Sequence, residues 1–78
     1  MNKQRRQRIE SVLTMLGDAY DELESIRDEE QEAFDNLPEG IQESERGQSI
    51  EDCANELDDA VSELDSVITT INDILDTY

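Results

Sequence analysis

The stretch from Ile50 to Tyr78 repeats in sevens, and that repeat constrains the whole chain. Ile50, Leu57, Leu64, Ile71 and Tyr78 occupy one column. Cys53, Ala60, Val67 and Ile74 occupy a second, and Ala54, Val61, Ile68 and Leu75 a third. Nearly everything else in the stretch is Asp, Glu, Ser, Thr or Asn. Apolar residues at this spacing line one side of a helix and leave the other side in water. The earlier part of the chain carries a matching stripe: Ile9, Val12, Leu16, Ala19, Leu23, Ile26, Glu30, Ala33 and Leu37, widened by Leu13, Tyr20 and Phe34. Three apolar positions in seven suit a bundle helix better than a two-stranded seam.

Between the stripes lies Leu-Pro-Glu-Gly-Ile-Gln-Glu-Ser-Glu-Arg-Gly, residues 37–47. Pro38 blocks continuation of a helix and biases Leu37 toward extended backbone. It also suits the opening of a short helical turn. Ile41 is placed to fold back over the core. Ser44 or Ser49 can cap the next helix, and Ser49-x-x-Asp52 is a near relative of the capping box. The expected fold is all-α: an antiparallel hairpin of two long amphipathic helices, 4–36 and 48–76, in one domain. Partner residues across the hairpin should have numbers summing to about 84, given equal rise along both helices. Each helix of a lone hairpin has one neighbour, so the wide stripes predict a homodimer forming a four-helix bundle. The interface candidates are Leu13, Leu16, Tyr20, Leu23, Leu57, Val61, Leu64, Ile68, Ile71 and Leu75.

Charge is the second strong signal. The chain of 78 residues has a net charge of −16, an extreme that on composition alone approaches disorder. The heptad argues against disorder. Residues 1–8 hold Lys3, Arg5, Arg6 and Arg8, which leaves two basic residues against all 22 acidic ones in the remainder. The basic segment is either an arm for nucleic acid or an acidic partner, or it lies beside the far end of the second helix. Asp73, Asp76, the terminal carboxylate and the helix dipole gather negative charge there.

Most chemistry is excluded by what the chain lacks. There is no His and a single cysteine, Cys53, which excludes most zinc sites and His-dependent catalytic schemes. A lone cysteine forms no internal disulfide and fits a reducing cytoplasm. Cys53, Tyr20, Phe34 and Tyr78 sit on the stripes and read as core. No apolar run follows the basic segment, so neither a secretory leader nor a membrane span is expected. No calcium-hand spacing, Gly-rich phosphate loop or nucleophile–base pair is present. The expectation is a protein without enzymatic activity, cofactor or metal.

Two binding readings remain. Carboxylates ranged along a rigid rod mimic the charge of duplex nucleic acid, about one per 1.7 Å of axis, and attract basic nucleic-acid-binding proteins. Glu29, Glu32, Asp35, Asp58, Asp59 and Glu63 are the candidate contacts on this acidic face. Alternatively, Ser44, Arg46 and Gly47 stand where a helix N-terminus can present amides to an anion. With the basic segment of another protomer they would hold a nucleotide and sequester it. A purely structural dimer is the third possibility. Direct binding to duplex nucleic acid is not expected from so acidic a surface. Arg27-Asp28-Glu29-Glu30-Gln31-Glu32 interrupts the first stripe and sets Glu30 opposite Cys53 and Ala54. That arrangement reads as a polar pocket, a register-setting residue or a solvated bundle end.

The segment Asp28-Glu29-Glu30-Gln31-Glu32-Ala33-Phe34-Asp35-Asn36-Leu37-Pro38-Glu39, followed by Gln42-x-Ser44-Glu45-Arg46-Gly47, resembles a pattern in small acidic proteins of phages and prophages. The likeness spans roughly residues 20–75, with the connection as its most specific part. It implies a phage setting and carries over no activity and no catalytic residue; small phage proteins are often inhibitors of host machinery, which favours an interaction protein.

Overall fold

The computed structural model describes Met1–Tyr78 and is all-helical. Helix α1 spans Lys3–Asp35, the short α2 spans Glu39–Gln42, and α3 spans Glu45–Thr77. Helices α1 and α3 pack against each other as an antiparallel hairpin, a rod of 58 × 16 × 13 Å.

Each boundary has a local cause. The Asn2 side chain accepts a hydrogen bond from the Arg5 amide at 2.8 Å and so caps the free donors that open α1. At the other end, the Asn36 amide bonds to Glu32 at 3.0 Å and that of Leu37 to Phe34 at 3.1 Å, just before Pro38 stops the helix. Pro38 opens α2: its carbonyl accepts from the Ile41 amide at 2.8 Å and the Gln42 amide at 3.0 Å. The Gln42 side chain then reaches back and donates to the Phe34 carbonyl at 3.1 Å. Ser44, in extended backbone, caps α3 by accepting from the Gly47 amide at 3.2 Å. The second helix therefore starts at Glu45, ahead of the expected residue 48. Ser44 is the residue at the turn, whereas Ser49 is already one full turn inside the helix. Ile41 does not fold over the core; it is exposed, and its carbonyl accepts the Ser44 hydroxyl instead.

The seam between α1 and α3 is narrower than the stripes. On α1 the seam positions are Arg6, Ile9, Leu13, Leu16, Tyr20, Leu23, Arg27, Glu30 and Phe34, continued by Leu37 after the helix; all are half-buried and alternate by three and four, and Gly17 and Glu24 beside them are half-buried too. On α3 the seam positions are Gly47, Ile50, Ala54, Leu57, Val61, Leu64, Ile68, Ile71 and Leu75, at the same spacing and buried or half-buried, with Glu51 and Ala60 half-buried beside them. The seam positions are the a and d positions of two heptads, the pattern of a two-helix coiled coil. Arg6 meets Leu75 and Arg27 meets Asp58 across the seam, as the expected antiparallel register requires. Only Gly47, Ala54 and Val61 are buried, and all three lie on α3. The third apolar column of each helix is exposed apart from the half-buried Ala60. Cys53, expected in the core, is exposed, as are Val12, Ile26, Val67 and Ile74. Tyr78, also expected in the core, is 72 % exposed because it lies at the open end of the rod beyond the last turn. No helix is long and apolar enough to cross a membrane.

Candidate functional site

The candidate interaction surface follows from the heptad. Antiparallel helices that face each other through a and d bring their e positions together on one edge and their g positions together on the opposite edge. The e edge is polar: Glu10, Gly17, Glu24 and Gln31 from α1, with Glu51, Asp58, Asp65 and Asn72 from α3. A groove lined by Arg27, Asp28 and Gln31 of α1 and by Ala54, Asn55 and Asp58 of α3 lies along it. The g edge is apolar over its central length: Val12, Ala19, Ile26 and Ala33 from α1, with Cys53, Ala60, Val67 and Ile74 from α3.

Arg27 is the one ion-paired cation. Its guanidinium meets Asp28 at 2.9 Å, Asp58 across the seam at 2.9 Å and Glu24 at 3.9 Å. The hydrogen bond to Asp28 and then that to Asp58 hold its pKa above the ordinary arginine value, against partial desolvation. Sequence reasoning treats Arg27 only as part of a break in the stripe. The missed signal is its position: a seam residue carrying a long cationic side chain beside an acidic edge. Tyr20, one turn before Glu24, has its phenol pKa raised by burial first and then by the Glu24 and Asp65 carboxylates.

The six acidic candidates are all exposed but do not share one face. Asp35 and Asp58 belong to the polar side; Asp35 accepts from Gln31 at 3.0 Å, and Asp58 is held by Arg27. Glu29 and Glu63 flank the apolar edge. Glu32 and Asp59 point outward from opposite sides of the hairpin. All six fall in the loop-proximal and central parts of the rod, so the acidity wraps the hairpin there.

The three anion candidates have different fates. The Ser44 hydroxyl and the Gly47 amide are already bonded to each other, and Gly47 is buried under the α2 backbone. Arg46 is exposed and forms no ion pair. The ten interface candidates, Leu13 through Leu75, line the seam inside the hairpin. Glu30 is half-buried opposite the loop-proximal half of α3, where small Ala54 is the buried neighbour. No three Cys, Asp or Glu side chains are gathered closely enough to hold a metal ion. At the open end, the basic segment lies beside the last turn of α3, and Arg6 donates to the Leu75 carbonyl there; no ion pair to Asp73 or Asp76 forms.

No family model, curated protein or solved structure matches the chain.

Proposed function

We propose that this protein is a non-enzymatic interaction module that engages a basic, nucleic-acid-binding host protein through its acidic surface, and that it works as a four-helix dimer. One observation carries the reading. Apart from Glu24, Asp28 and Asp58, which share Arg27, no carboxylate has a cationic partner. The charge is therefore not cancelled internally, and it projects from a rigid rod. A net charge of −16 over 58 Å is about one per 3.6 Å, close to the ~3.4 Å spacing of a single nucleic-acid strand. A basic groove senses such a field over roughly a Debye length, about 8 Å at physiological salt. The resemblance to small acidic phage proteins supports a host protein as the target.

The test is a binding titration against basic DNA-binding proteins, with duplex DNA as competitor and salt as the variable. Binding should weaken steeply from 50 to 200 mM salt, roughly in the manner of DNA itself. Duplex DNA should compete. Replacing Glu29, Glu32, Asp59 and Glu63 together by Gln should weaken binding at least about tenfold, a difference of about 1.4 kcal/mol. Binding that ignores both salt and these substitutions rules the reading out.

A further inference from the structure

We infer that the apolar g edge is the surface on which a second copy of this chain docks, with the connecting loops at opposite ends of the dimer. This rests on the dimer reading above and assigns it a face and an orientation.

The face is chosen by chemistry. Val12, Ala19 and Ile26 of α1 and Ala60, Val67 and Ile74 of α3 line a strip with no charged residue among them. Val67 is 48 % exposed and Met15, beside the strip, is 63 % exposed. In a chain with so many carboxylates, an uncharged strip aligned across two helices is a specific departure. The seam residues cannot serve as this interface without opening the hairpin.

Area points the same way. A folded monomer of 8.9 kDa is expected to expose about 4,800 Å², and this hairpin exposes 5704 Å². The excess is about the area that one partner contributes to a standard interface, ~800 Å². Only three residues are buried in the lone hairpin, too few for a small domain to rely on.

Charge selects the occupant's orientation. The strip is flanked by Glu22 and Glu29 on α1 and by Glu56 and Glu63 on α3, all in the loop-proximal and central parts of the rod. Toward the open end the flanking residues are Arg8, Met15, Thr70 and Thr77, with Arg5 on the g edge itself; at the loop end the same edge carries Arg46. A two-fold axis along the rod sets Glu22 and Glu29 of one copy against Glu56 and Glu63 of the other. A two-fold axis across the rod brings the Arg5–Arg8 end of each copy toward the acidic half of the other. The second arrangement sets Glu29 and Glu56 of one copy against the uncharged Met15 and Thr70 positions of the other, and leaves only Glu22 and Glu63 facing their own counterparts near the axis, two acidic pairs in place of four. Either arrangement doubles the linear charge density to about one per 1.8 Å, close to the ~1.7 Å of duplex DNA.

The experiment uses the full chain and its single cysteine. Sedimentation equilibrium should show a dimer at micromolar concentration. A spin label on Cys53 should report an intradimer separation of ~30 Å, from the 1.5 Å rise and the position of Cys53 relative to the middle of the rod. With loops at the same end the labels would lie within ~15 Å, given interaxial distances of 8–10 Å. Val67→Glu should raise the dimer dissociation constant at least about tenfold while helicity at high concentration persists, because Val67 is outside the seam. A wild-type chain that stays monomeric, a short label distance, or a Val67→Glu dimer as tight as wild type would each overturn the inference. Partner binding is measured separately, so a monomer that still binds basic proteins in a salt-dependent way leaves the acidic-surface reading standing.

Discussion

Arg6, in the first turns of α1, donates both terminal nitrogens of its guanidinium to the carbonyl oxygen of Leu75, near the last turn of α3. The Nη1 contact is 2.7 Å. The end of α3 has no basic residue of its own and several carbonyls without helical partners. Arg6 supplies both the donor and the positive charge that this end of a helix favours. Arg6→Gln should cost about 1.5 kcal/mol, the lower end for a charged hydrogen bond, because the site is only half-buried. The loss should be local. Hydrogen exchange should accelerate in the last two turns of α3 and the first turns of α1, while amides near Val61 keep their protection. Uniform acceleration along both helices would show that the contact holds the whole hairpin.

Gly17 and Gly47 should respond to alanine with opposite signs. A Cβ at Gly47 would press on the carbonyls of Ile41 and Gln42 closer than any real contact, and backbone cannot step aside as a flexible side chain would. Gly47→Ala should therefore destabilise by about 2–3 kcal/mol, as overpacking does, despite the gain in helix propensity. A Cβ at Gly17 meets nothing within 4 Å. Gly17→Ala should stabilise by about 0.5–1 kcal/mol. Urea denaturation of the two variants checks both signs, and a stabilised Gly47→Ala would mean that α2 does not sit over the start of α3.

The two glycines also show how far sequence reasoning reaches. The heptad identifies the two helices and their antiparallel pairing because amphipathic periodicity is a local property of the chain. It does not tell which two of three apolar columns form the seam. Ala19 and Ile26 read as core in α1 alongside Tyr20 and Leu23, yet only the latter two lie on the seam, and the Ala19 column lies on the g edge. Choosing between columns needs the partner helix, since only a shared register selects the pair of columns that meet. The closeness of Gly47 to α2 is hidden for the same reason: it arises from the path of Pro38–Ser44, which places two carbonyls over the first turn of α3. The acidic surface is legible as charge, but not as a site. Its six candidate residues point in several directions, and the residue that organises local charge, Arg27, stands out only once Asp58 is seen across the seam.

Tyr20 links the seam to the acidic edge, and its ionisation reports on both. Burial, Glu24 and Asp65 all disfavour the phenolate, so the folded-state pKa lies above the ordinary 10.0. A group whose folded pKa is raised stabilises the fold fully below its unfolded pKa and loses that contribution as pH climbs through the folded value. Stability should therefore be unaffected by Tyr20 at neutral pH and fall above pH 10. In a Tyr78→Phe background, ultraviolet titration should show the remaining tyrosine ionising later than the free side chain. Glu24→Gln should bring that midpoint down. A Tyr20 midpoint at or below 10.0 would show that the phenol is fully in water and not at the seam.

Salt should strengthen the hairpin while weakening its grip on a basic partner. With Arg27 holding the three ion-paired carboxylates, the remaining acidic residues repel one another along both helices. Raising ionic strength from 0.15 to 1 M shortens the screening length from about 8 Å to about 3 Å and relieves that repulsion. The gain should exceed what screening takes from the Arg27 pairs, since exposed pairs are each worth only about 0–1 kcal/mol. A net gain of about 1 kcal/mol corresponds to a rise in melting temperature of roughly 4–8 °C for a domain of this size. Sodium chloride is the appropriate salt, because sulfate would strengthen apolar burial directly. Self-association through the g edge should tighten over the same range, as it brings two acidic chains together. Calorimetry and sedimentation across a chloride series measure the two effects on one sample. A melting temperature that falls with chloride would mean that the few ion pairs at Arg27 outweigh the repulsion, and that the carboxylates are more neutralised than their lack of partners indicates.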